Sequence, residues 1–283
     1  MTRFLKRLLA DTLNDYELDS LISAFDQIGD IIIIRIPSSL YPKRMEIGNV
    51  LLNEINVVNR VFCQITDIGG EYRTRSLELV AGQGDTTTTY KENGCTFEVD
   101  VERVFFTPRL ATERARISTM VQPNEKVLNM FGGAGMFSIQ MAKDTNCTVY
   151  NVDINPQATT LCIRNTQLNR LKGSVISITN NASAICQSMP DTFDRIVMPL
   201  PERTDEFLKD AVSAIKDTGV IHYYSHVHAD RKQNAVSVLK EHFDDISPTL
   251  HKITDGRLVR AVGPRYYQVV IDVIIYKILG ICD

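Results

Sequence analysis

A cluster of glycines followed by an acidic residue is the part of this sequence best suited to binding a nucleoside. Gly132, Gly133 and Gly135 lie between two apolar runs, and Asp153 stands at the end of the next apolar run. Glycine has no Cβ, so the backbone can turn sharply there and a ligand can approach it closely. A carboxylate at the end of the following strand can accept both hydroxyl hydrogens of a ribose. The pattern indicates a nucleotide site, although such a glycine turn can also be purely structural.

The spacing of the glycines distinguishes between two kinds of nucleotide. A pyrophosphate-binding dehydrogenase is expected to carry GxGxxG, and this loop does not form that pattern. S-adenosylmethionine has no pyrophosphate, so its methionine part and its ribose can lie over a short glycine turn. Asn181 follows a later apolar run, where its side chain could bind an adenine edge or simply cap a helix. The residues alone leave both interpretations of Asn181 open.

The segments around the glycine loop predict the architecture that positions it. From Phe106 onward, apolar strand-like runs alternate with helical segments of about 10–15 residues, which is typical of a doubly wound, mainly parallel sheet. We predict strands at VLNMF, CTVYNVDI, VISITN, RIVMPL and GVIHYY. Helices are predicted from Leu110 to Val121 and at GMFSIQMAK, ATTLCIRNTQLNRL, DEFLKDAVSAIKD and NAVSVLKEHF. A long final strand over residues 266–278 suits an antiparallel addition to the sheet.

The first part of the chain has a different pattern of strand and turn signals. Between Ile31 and Val101, β-rich runs are separated by turn signals such as Asn93-Gly94, and helices are predicted at Asp15–Phe25 and Lys43–Glu54. We therefore predict a small α+β domain in front of a Rossmann-like one. The expected divisions are a helical segment at 1–26, an α+β domain at 27–105 and the doubly wound domain at 106–283.

Composition excludes several classes of protein. The first nine residues are interrupted by Arg3, Lys6 and Arg7, unlike a signal peptide, and no stretch approaches the roughly 18 apolar residues of a membrane span. The 6 cysteines form no CxxC pair, which favours reduced thiols in a cytoplasmic protein without a metal site.

His222, His226 and His228 have no cysteine or acid at zinc-ligand spacing. A net charge of −3 argues only weakly against nucleic acid, because local patches do the binding.

Several stretches taken together resemble the archaeal and eukaryotic tRNA guanine-37 N1-methyltransferases of the Rossmann type. These stretches are GEYRTRSLELVAG, TPRLATER, VLNMFGGAGMFSI, VMPLPERTDEFL and GVIHYY, within a likeness that runs from about Phe25 to the C-terminus. The resemblance implies a class I methyltransferase sheet, S-adenosylmethionine as methyl donor, and the base at position 37 beside the tRNA anticodon as acceptor. It also implies that residues 27–105 position RNA, and we expect a monomer. Because only a short segment precedes Phe25, the elbow-reading domain of many members is expected to be missing.

The same resemblance assigns the groups that the reaction needs. Guanine N1 carries a proton and is a poor nucleophile, so a base must remove that proton and a donor must stabilise the charge on O6. The resemblance points to Glu113 as the base and to Arg73, with Arg75 as the alternative, as the O6 donor. The residues themselves permit plainer interpretations. Glu113 could lie with Arg114 and Arg116 on a solvated helix face, and Arg73 could form a surface pair with Glu71 on a strand.

Cofactor-binding residues are expected at the glycine loop, at the ends of the following strands and in the segment before the first helix of the second domain. They are Phe105, Arg109, Phe131, Gly133, Gly135, Asp153, Ile154, Asn181 and Leu200. Phe105 falls where members of the family place an aromatic residue near the cofactor. A core residue on a strand is the plainer interpretation of Phe105.

Two positions depart from the family pattern. Pro199 replaces the Asn of an Asn-Leu-Pro signature, in which the amide holds the guanine edge; proline offers no such group. Pro199 could mean a looser guanine pocket, or one reshaped for the tricyclic wyosine precursor that an archaeal branch of the family methylates. Asn129 stands where relatives usually have Asp. Asparagine keeps the hydrogen bonding of that side chain but lacks its negative charge.

Two other functions remain compatible with these residues. The wybutosine-pathway aminocarboxypropyl transferase shares the fold and cofactor but moves the other substituent of the sulfonium. Its relatives lack the Arg-Leu pair present here as Arg109-Leu110. A non-catalytic tRNA-binding module would fit the altered signature at Pro199, whereas retention of Glu113 and Asp153 speaks against it.

Overall fold

A computed structural model describes residues 2–22, 24–247 and 249–277. The chain folds as two compact units, Met1–Phe106 and Thr107–Asp283, and each is described by itself. Within the described residues, none of the helices combines the length and the apolar character needed to cross a membrane.

The first unit combines a four-stranded sheet, a two-stranded hairpin and helices. Its elements are α1 (Thr2–Leu8), α2 (Asp15–Ser20), β1 (Phe25–Ile28), β2 (Ile31–Ile34), α3 (Arg44–Glu54), β3 (Arg60–Gln64), β4 (Leu77–Gly82), β5 (Thr87–Glu92) and β6 (Cys95–Asp100). The sheet order is β1-β2-β3-β4, with only β2 and β3 parallel. Asn93 and Gly94 join β5 to β6, and both have positive φ (48° and 71°), as a two-residue hairpin turn requires.

The helix predicted over Asp15–Phe25 is wrong in its second half. Asn14 caps α2 through a capping box with Glu17, but the helix ends at Ser20 and Leu21 is already extended. Leu21 is buried in the core of the first unit, and Phe25 begins β1. The apolar residues after Ser20 therefore belong to the approach to the sheet and do not extend the helical face.

The second unit is a seven-stranded sheet with helices between its strands. Its elements are α4 (Ala111–Met120), β7 (Lys126–Asn129), α5 (Met136–Asp144), β8 (Thr148–Asp153), α6 (Pro156–Gln167), β9 (Ser174–Thr179), α7 (Ala182–Ser188), β10 (Phe193–Met198), α8 (Thr204–Ala214), β11 (Ile215–His228), α9 (Ala235–Ile246), β12 (Leu250–Gly263) and β13 (Tyr266–Tyr276). The strand order is β12-β13-β11-β10-β7-β8-β9.

The pairing confirms the doubly wound sheet. Strands β7 to β11 pair in parallel, whereas β13 is antiparallel to both β11 and β12. The predicted final antiparallel strand is thus confirmed as β13; its expected last residue, Ile278, lies outside the described residues. Strand β12 and helix α7 had no counterpart in the sequence prediction.

The order of the strands defines where a ligand can bind. From β7 the chain moves outward through β8 and β9, and then returns to place β10 on the other side of β7. In open α/β sheets the crevice for a ligand lies beyond the carboxyl ends of the strands at such a reversal. The glycine loop leaves β7 at this point, and the Pro199-Leu200-Pro201 segment leaves β10 beside it.

Gly135 joins the glycine loop to helix α5. It occupies the N-cap of α5 with φ 87°, in the left-handed region. A Cβ at this position would lie 2.6 Å from Sγ of Cys162 and 3.1 Å from Cδ1 of Ile139. Backbone conformation and close packing both require glycine here.

We expect Gly135→Ala to lower the free energy of unfolding by about 2–4 kcal/mol, through left-handed strain and overpacking together. Urea unfolding followed by circular dichroism measures the loss. Gly263→Ala is the control, because its Cβ would meet only Cβ of Tyr266, at 3.8 Å. Equal stability losses in the two variants would contradict this account.

Candidate functional site

Backbone hydrogen bonds fasten the glycine loop to the end of β8. The Gly132 N–H donates to the carbonyl oxygen of Val152 at 2.8 Å, and the Gly133 N–H donates to Oδ2 of Asp153 at 2.7 Å. The loop and the acidic residue that were predicted to share a ligand are therefore in direct contact.

A chain of hydrogen bonds between uncharged, buried side chains holds the glycine loop in place. Nδ2 of Asn129 donates to Oγ of Ser138 (3.0 Å), whose hydroxyl donates to Oδ1 of Asn151 (2.6 Å). Nδ2 of Asn151 then donates to the carbonyl oxygen of Gly133 (3.3 Å). A Cβ on Gly132 would lie 2.2 Å from Oδ1 of Asn151, so this support also requires glycine at position 132.

Asp153 retains the capacity to bind a ribose. Its Oδ1 accepts the N–H of Asn155 at 2.9 Å and its Oδ2 accepts that of Gly133, which leaves further lone pairs on both oxygens. Burial raises the pKa of Asp153, and the two backbone hydrogen bonds oppose that rise. Because the side chain is only half-buried, a ligand at the carboxyl edge can reach it.

The other residues expected at the cofactor differ in their surroundings. Phe131 is half-buried with its ring edge-on to Phe207 at 4.9 Å, and Ile154 is 37% exposed. The carbonyl oxygen of Leu200 accepts a hydrogen bond from the hydroxyl of Thr204 at 2.6 Å, which steadies the segment after β10. Arg109 is exposed at the start of α4, in a turn capped by the side chain of Thr107.

Asn181 is a helix cap in this structure. It is exposed, and its Oδ1 accepts the N–H of Ser183 at 2.8 Å at the start of α7. The capping interpretation of Asn181 is thereby observed. Its predicted contact with an adenine edge stays a prediction.

Glu113 lies in a buried ionic cluster on the first turn of α4. The interpretation as a solvated helix face is wrong, since Glu113 and Arg114 are only 2% and 3% exposed. Oε1 of Glu113 accepts Nη2 of Arg116 at 2.6 Å, Nε of Arg116 at 3.0 Å and the hydroxyl of Tyr224 at 2.8 Å. Arg257, on β12, approaches the other oxygen, with Nε 3.7 Å from Oε2.

The cluster continues across the sheet as a chain of alternating charges. Arg116 also donates to Asp272 at 2.5 and 3.1 Å, and Asp272 contacts Nδ1 of His222 at 2.6 Å. Nε2 of His222 lies 2.8 Å from Nη1 of Arg195, whose Nε and Nη2 reach Glu125 at 2.8 and 3.0 Å. We call the chain Glu113–Arg116–Asp272–His222–Arg195–Glu125 the buried ionic chain.

The neighbours of His222 fix its tautomer. A guanidinium only donates hydrogen bonds, so Nε2 must accept from Arg195 and Nδ1–H must donate to Asp272. The ring is therefore neutral, and burial lowers the pKa of His222 below its usual value. Burial alone would raise the pKa of Asp272, but hydrogen bonds from His222 and Arg116 outweigh it and hold that pKa below its ordinary range. His222 is thus a structural link, and the described residues contain no group of three or more metal ligands.

Arg73 belongs to the first unit, in a tight turn rather than on a strand. It has φ 54°, which is costly for a residue with a side chain, and its guanidinium lies over the ring of Phe105, 4.2 Å from the centroid. The expected position of Arg73 on a strand is therefore wrong. Arg75 has a different environment, since its guanidinium donates to the carbonyl oxygen of Val101 (3.2 Å) and to Gln64 (3.3 Å).

Sequence reasoning missed most of the buried ionic chain. Tyr224, Asp272 and Arg195 were not singled out, and Arg116 was considered only as a surface residue. One signal was available: Asp272 interrupts the apolar run VVIDVII, and an acid inside a buried strand needs a charged partner. The sequence does not identify that partner, because Arg116 lies 156 residues away.

Comparison with known proteins shows the family to which this chain belongs. Residues 88–248 match the TRM5/TYW2 methyltransferase domain, and residues 5–86 match the TYW2 N-terminal domain. The chain is 38% identical to the tRNA (guanine(37)-N(1))-methyltransferase Trm5b of Pyrococcus abyssi (strain GE5 / Orsay), over 88% of this chain and 74% of that protein. It is 33% identical to the tRNA 4-demethylwyosine(37)-methyltransferase Taw21 of Saccharolobus solfataricus, over 87% of this chain and 91% of that protein.

A solved structure matches the fold over nearly the whole chain. The complex of aTrm5 with tRNALeu superposes with a TM-score of 0.83 at 31% identity. The match covers 96% of this chain and 78% of that one.

The neutral state of His222 predicts a dependence of stability on pH. Its folded pKa is lowered, so the unfolded chain takes up a proton below about pH 6.5 while the folded chain resists it. Stability is therefore fully present above about pH 6.5 and is lost as the pH falls toward the folded pKa. Between pH 7.5 and 5.5 we expect a loss of up to about 1.4 kcal/mol from this group.

Urea unfolding at each pH, in the wild type and in His222→Gln, isolates this contribution. Glutamine can still donate to Asp272 and accept from Arg195, but it does not titrate. The variant should lose less stability than the wild type over this range. Parallel curves for the two proteins would refute the assignment.

Proposed function

Because the chain belongs to the TRM5/TYW2 methyltransferase family, we propose that it transfers the methyl group of S-adenosylmethionine to the base at position 37 of tRNA. Membership confirms the resemblance carried by TPRLATER and VMPLPERTDEFL. The structural observation that carries the proposal is a buried carboxylate at the ligand-binding edge. Met198, the last residue of β10, pairs with Tyr223, so Tyr224 and its partner Glu113 stand just beyond the carboxyl end of β10.

The residues at the glycine loop fit S-adenosylmethionine. Asp153 is half-buried, has lone pairs left for ribose hydroxyls, and is fixed by Gly133 and Asn155. Gly132 and Gly135 keep the loop close to β8 and α6, where side chains would collide. When bound, this cofactor supplies an electrophilic methyl group. The chain's own residues must bind and orient both substrates and accept a proton.

Methylation of guanine N1 requires a base for the N1 proton and a hydrogen-bond donor for O6. We assign Glu113 as the base that removes the proton of guanine N1, and Arg73 as the donor to O6. The strained backbone of Arg73 supports this choice over Arg75, since strain of that kind persists preferentially at functional positions. A base at position 37 lies in the anticodon loop, where it is stacked on its neighbours, so it must be turned out of the stack to reach the protein.

A second acceptor is favoured by Pro199. This half-buried residue supplies no amide to hold the polar edge of guanine at the end of β10. A tricyclic wyosine precursor is larger and less polar there. We therefore propose this precursor as an additional substrate, in keeping with the name of the Saccharolobus relative. We further propose that the protein is a cytoplasmic monomer.

Aminocarboxypropyl transfer is the alternative reaction on the same cofactor. The Arg109-Leu110 pair favours methyl transfer, because relatives that transfer the aminocarboxypropyl group lack it. A non-catalytic tRNA-binding module is disfavoured by the buried, hydrogen-bonded Glu113 and by the intact contact between Asp153 and the glycine loop.

Two tRNA-Phe transcripts test the proposed function, one unmodified and one carrying 4-demethylwyosine at position 37. After incubation with protein and cofactor, mass spectrometry of the nucleosides should show a methyl group on guanine, and on the tricyclic base if Pro199 has reshaped the pocket. Methyl transfer to plain guanine alone would remove the second substrate. Addition of the heavier aminocarboxypropyl group would overturn the reaction class.

Glu113→Gln tests the proposed base while preserving the shape of the side chain. We expect methyl transfer to fall at least a hundredfold, the typical contribution of general base catalysis, with cofactor affinity changed only a few fold. Single-turnover transfer and calorimetry with S-adenosylmethionine measure the two quantities. If both activity and cofactor binding are lost together, Glu113 is structural; if the rate is retained, it is not the base.

A further inference from the structure

The two oxygens of the Glu113 carboxylate have different surroundings. Oε1 receives three hydrogen bonds, two from Arg116 and one from Tyr224. Oε2 receives none within the described residues; Nε of Arg257 lies 3.7 Å from it, on a side chain that is 41% exposed. One oxygen is therefore fixed inside the protein, and the other lies beside a partly solvated side chain.

Tyr224 reaches Oε1 from the sheet. It is fully buried on β11, and its ring packs edge-on against Phe137 of α5 at 6.3 Å between centroids. Helix α5 begins directly after the glycine loop. Tyr224 therefore contacts both the carboxylate proposed as the base and the helix that carries the cofactor loop.

Arg116 holds the same oxygen from a second direction. Its guanidinium is itself fixed by Asp272, and Asp272 by His222, so Arg116 cannot follow the carboxylate if the latter rotates. With Arg116 on α4 and Tyr224 on β11, Oε1 is held at two points, and this leaves Oε2 to accept a proton.

We propose that Tyr224 is a positioning residue for methyl transfer, one whose hydroxyl holds Oε1 of Glu113 so that Oε2 faces the base to be methylated. The inference rests on the proposed function, in which Glu113 removes the N1 proton. It adds a second residue to that step, which acts only through the carboxylate.

The charged groups around Glu113 set the pH dependence expected of a variant. They are Arg116 on its own helix, Arg257 on β12 and Asp272 on β13, with Tyr224 as the neutral donor from β11. Burial, together with the neighbouring Glu113, raises the pKa of Tyr224 well above its usual value, so its hydroxyl keeps the proton it donates. Loss of that donor disfavours the ionised carboxylate, and the acid limb of the rate profile should move to higher pH.

Tyr224→Phe removes the hydroxyl and retains the ring. We expect the single-turnover rate of methyl transfer at alkaline pH to fall about tenfold, as loss of a hydrogen bond to a charged group predicts. The midpoint of the acid limb of the pH–rate profile should rise by about one pH unit. Affinity for S-adenosylmethionine, measured by calorimetry, should be unchanged.

Tyr223→Phe is the matched control. Tyr223 is the adjacent residue on the same strand, is equally buried, and also donates its hydroxyl to a carboxylate, that of Asp205. Since successive side chains of a strand point to opposite faces, this variant loses a hydroxyl–carboxylate hydrogen bond away from Glu113. Neither the alkaline rate nor the acid limb should change.

Site-specific 3-fluorotyrosine at position 224 covers the case in which phenylalanine disturbs folding. Fluorine makes the hydroxyl a stronger donor at nearly constant size, so the acid limb should move to lower pH. An unchanged limb in both Tyr224 variants overturns the proposal. Glu113→Gln separates failure of this proposal from failure of the proposed function. If Glu113→Gln keeps the wild-type rate, the proposed base is wrong. If Glu113→Gln is inactive and the acid limb is unchanged in both Tyr224 variants, only the role of Tyr224 is wrong.

Discussion

The ion pair between Arg116 and Asp272 is the interaction on which the second unit most depends. It joins the helix that carries Glu113 to β13, the antiparallel strand paired with β11. Removing such charges from water costs several kcal/mol per ion, and the cost is offset only when every charge has a partner with good geometry. The buried ionic chain meets that requirement by alternating signs from Glu113 to Glu125, with the neutral His222 linking Asp272 to Arg195. Losing Arg116 would leave the buried carboxylate of Asp272 without its cation.

Two polar networks of different character therefore meet at the carboxyl edge of the sheet. One is ionic and orients the carboxylate of Glu113; the other is uncharged and supports the glycine loop through Asn129, Ser138 and Asn151. Phe137 connects them, because it belongs to the helix that the loop begins and packs against Tyr224. The cofactor loop and the tyrosine that contacts the proposed base are therefore linked by one ring contact.

The fold could be predicted from the sequence wherever apolar periodicity was strong. The alternation after Phe106 predicts the parallel strands and, apart from α7, the helices between them to within a few residues. Strand β12 was missed because it is a mostly exposed edge strand and shows no apolar run. The positions of Glu113, Asp153 and the glycine loop could be predicted from motifs, and the contact between the last two was implied by the strand order. The partners of Glu113 could not, since a buried charge and a solvated one look alike in sequence, and Tyr224 is 111 residues away from it.

Asparagine at position 129 suits the direction of the uncharged network. Asn129 donates to Ser138, Ser138 to Asn151, and Asn151 to the carbonyl oxygen of Gly133, so each group passes one hydrogen toward the loop. A carboxylate at 129 has no hydrogen to donate, and it would require Ser138 to turn its hydroxyl back and Asn151 to rotate its amide. Asn151 would then present its oxygen to the carbonyl of Gly133, two acceptors facing one another beneath the cofactor loop. In this chain, asparagine at 129 therefore allows Asn151 to hold Gly133, and no negative charge is buried at position 129.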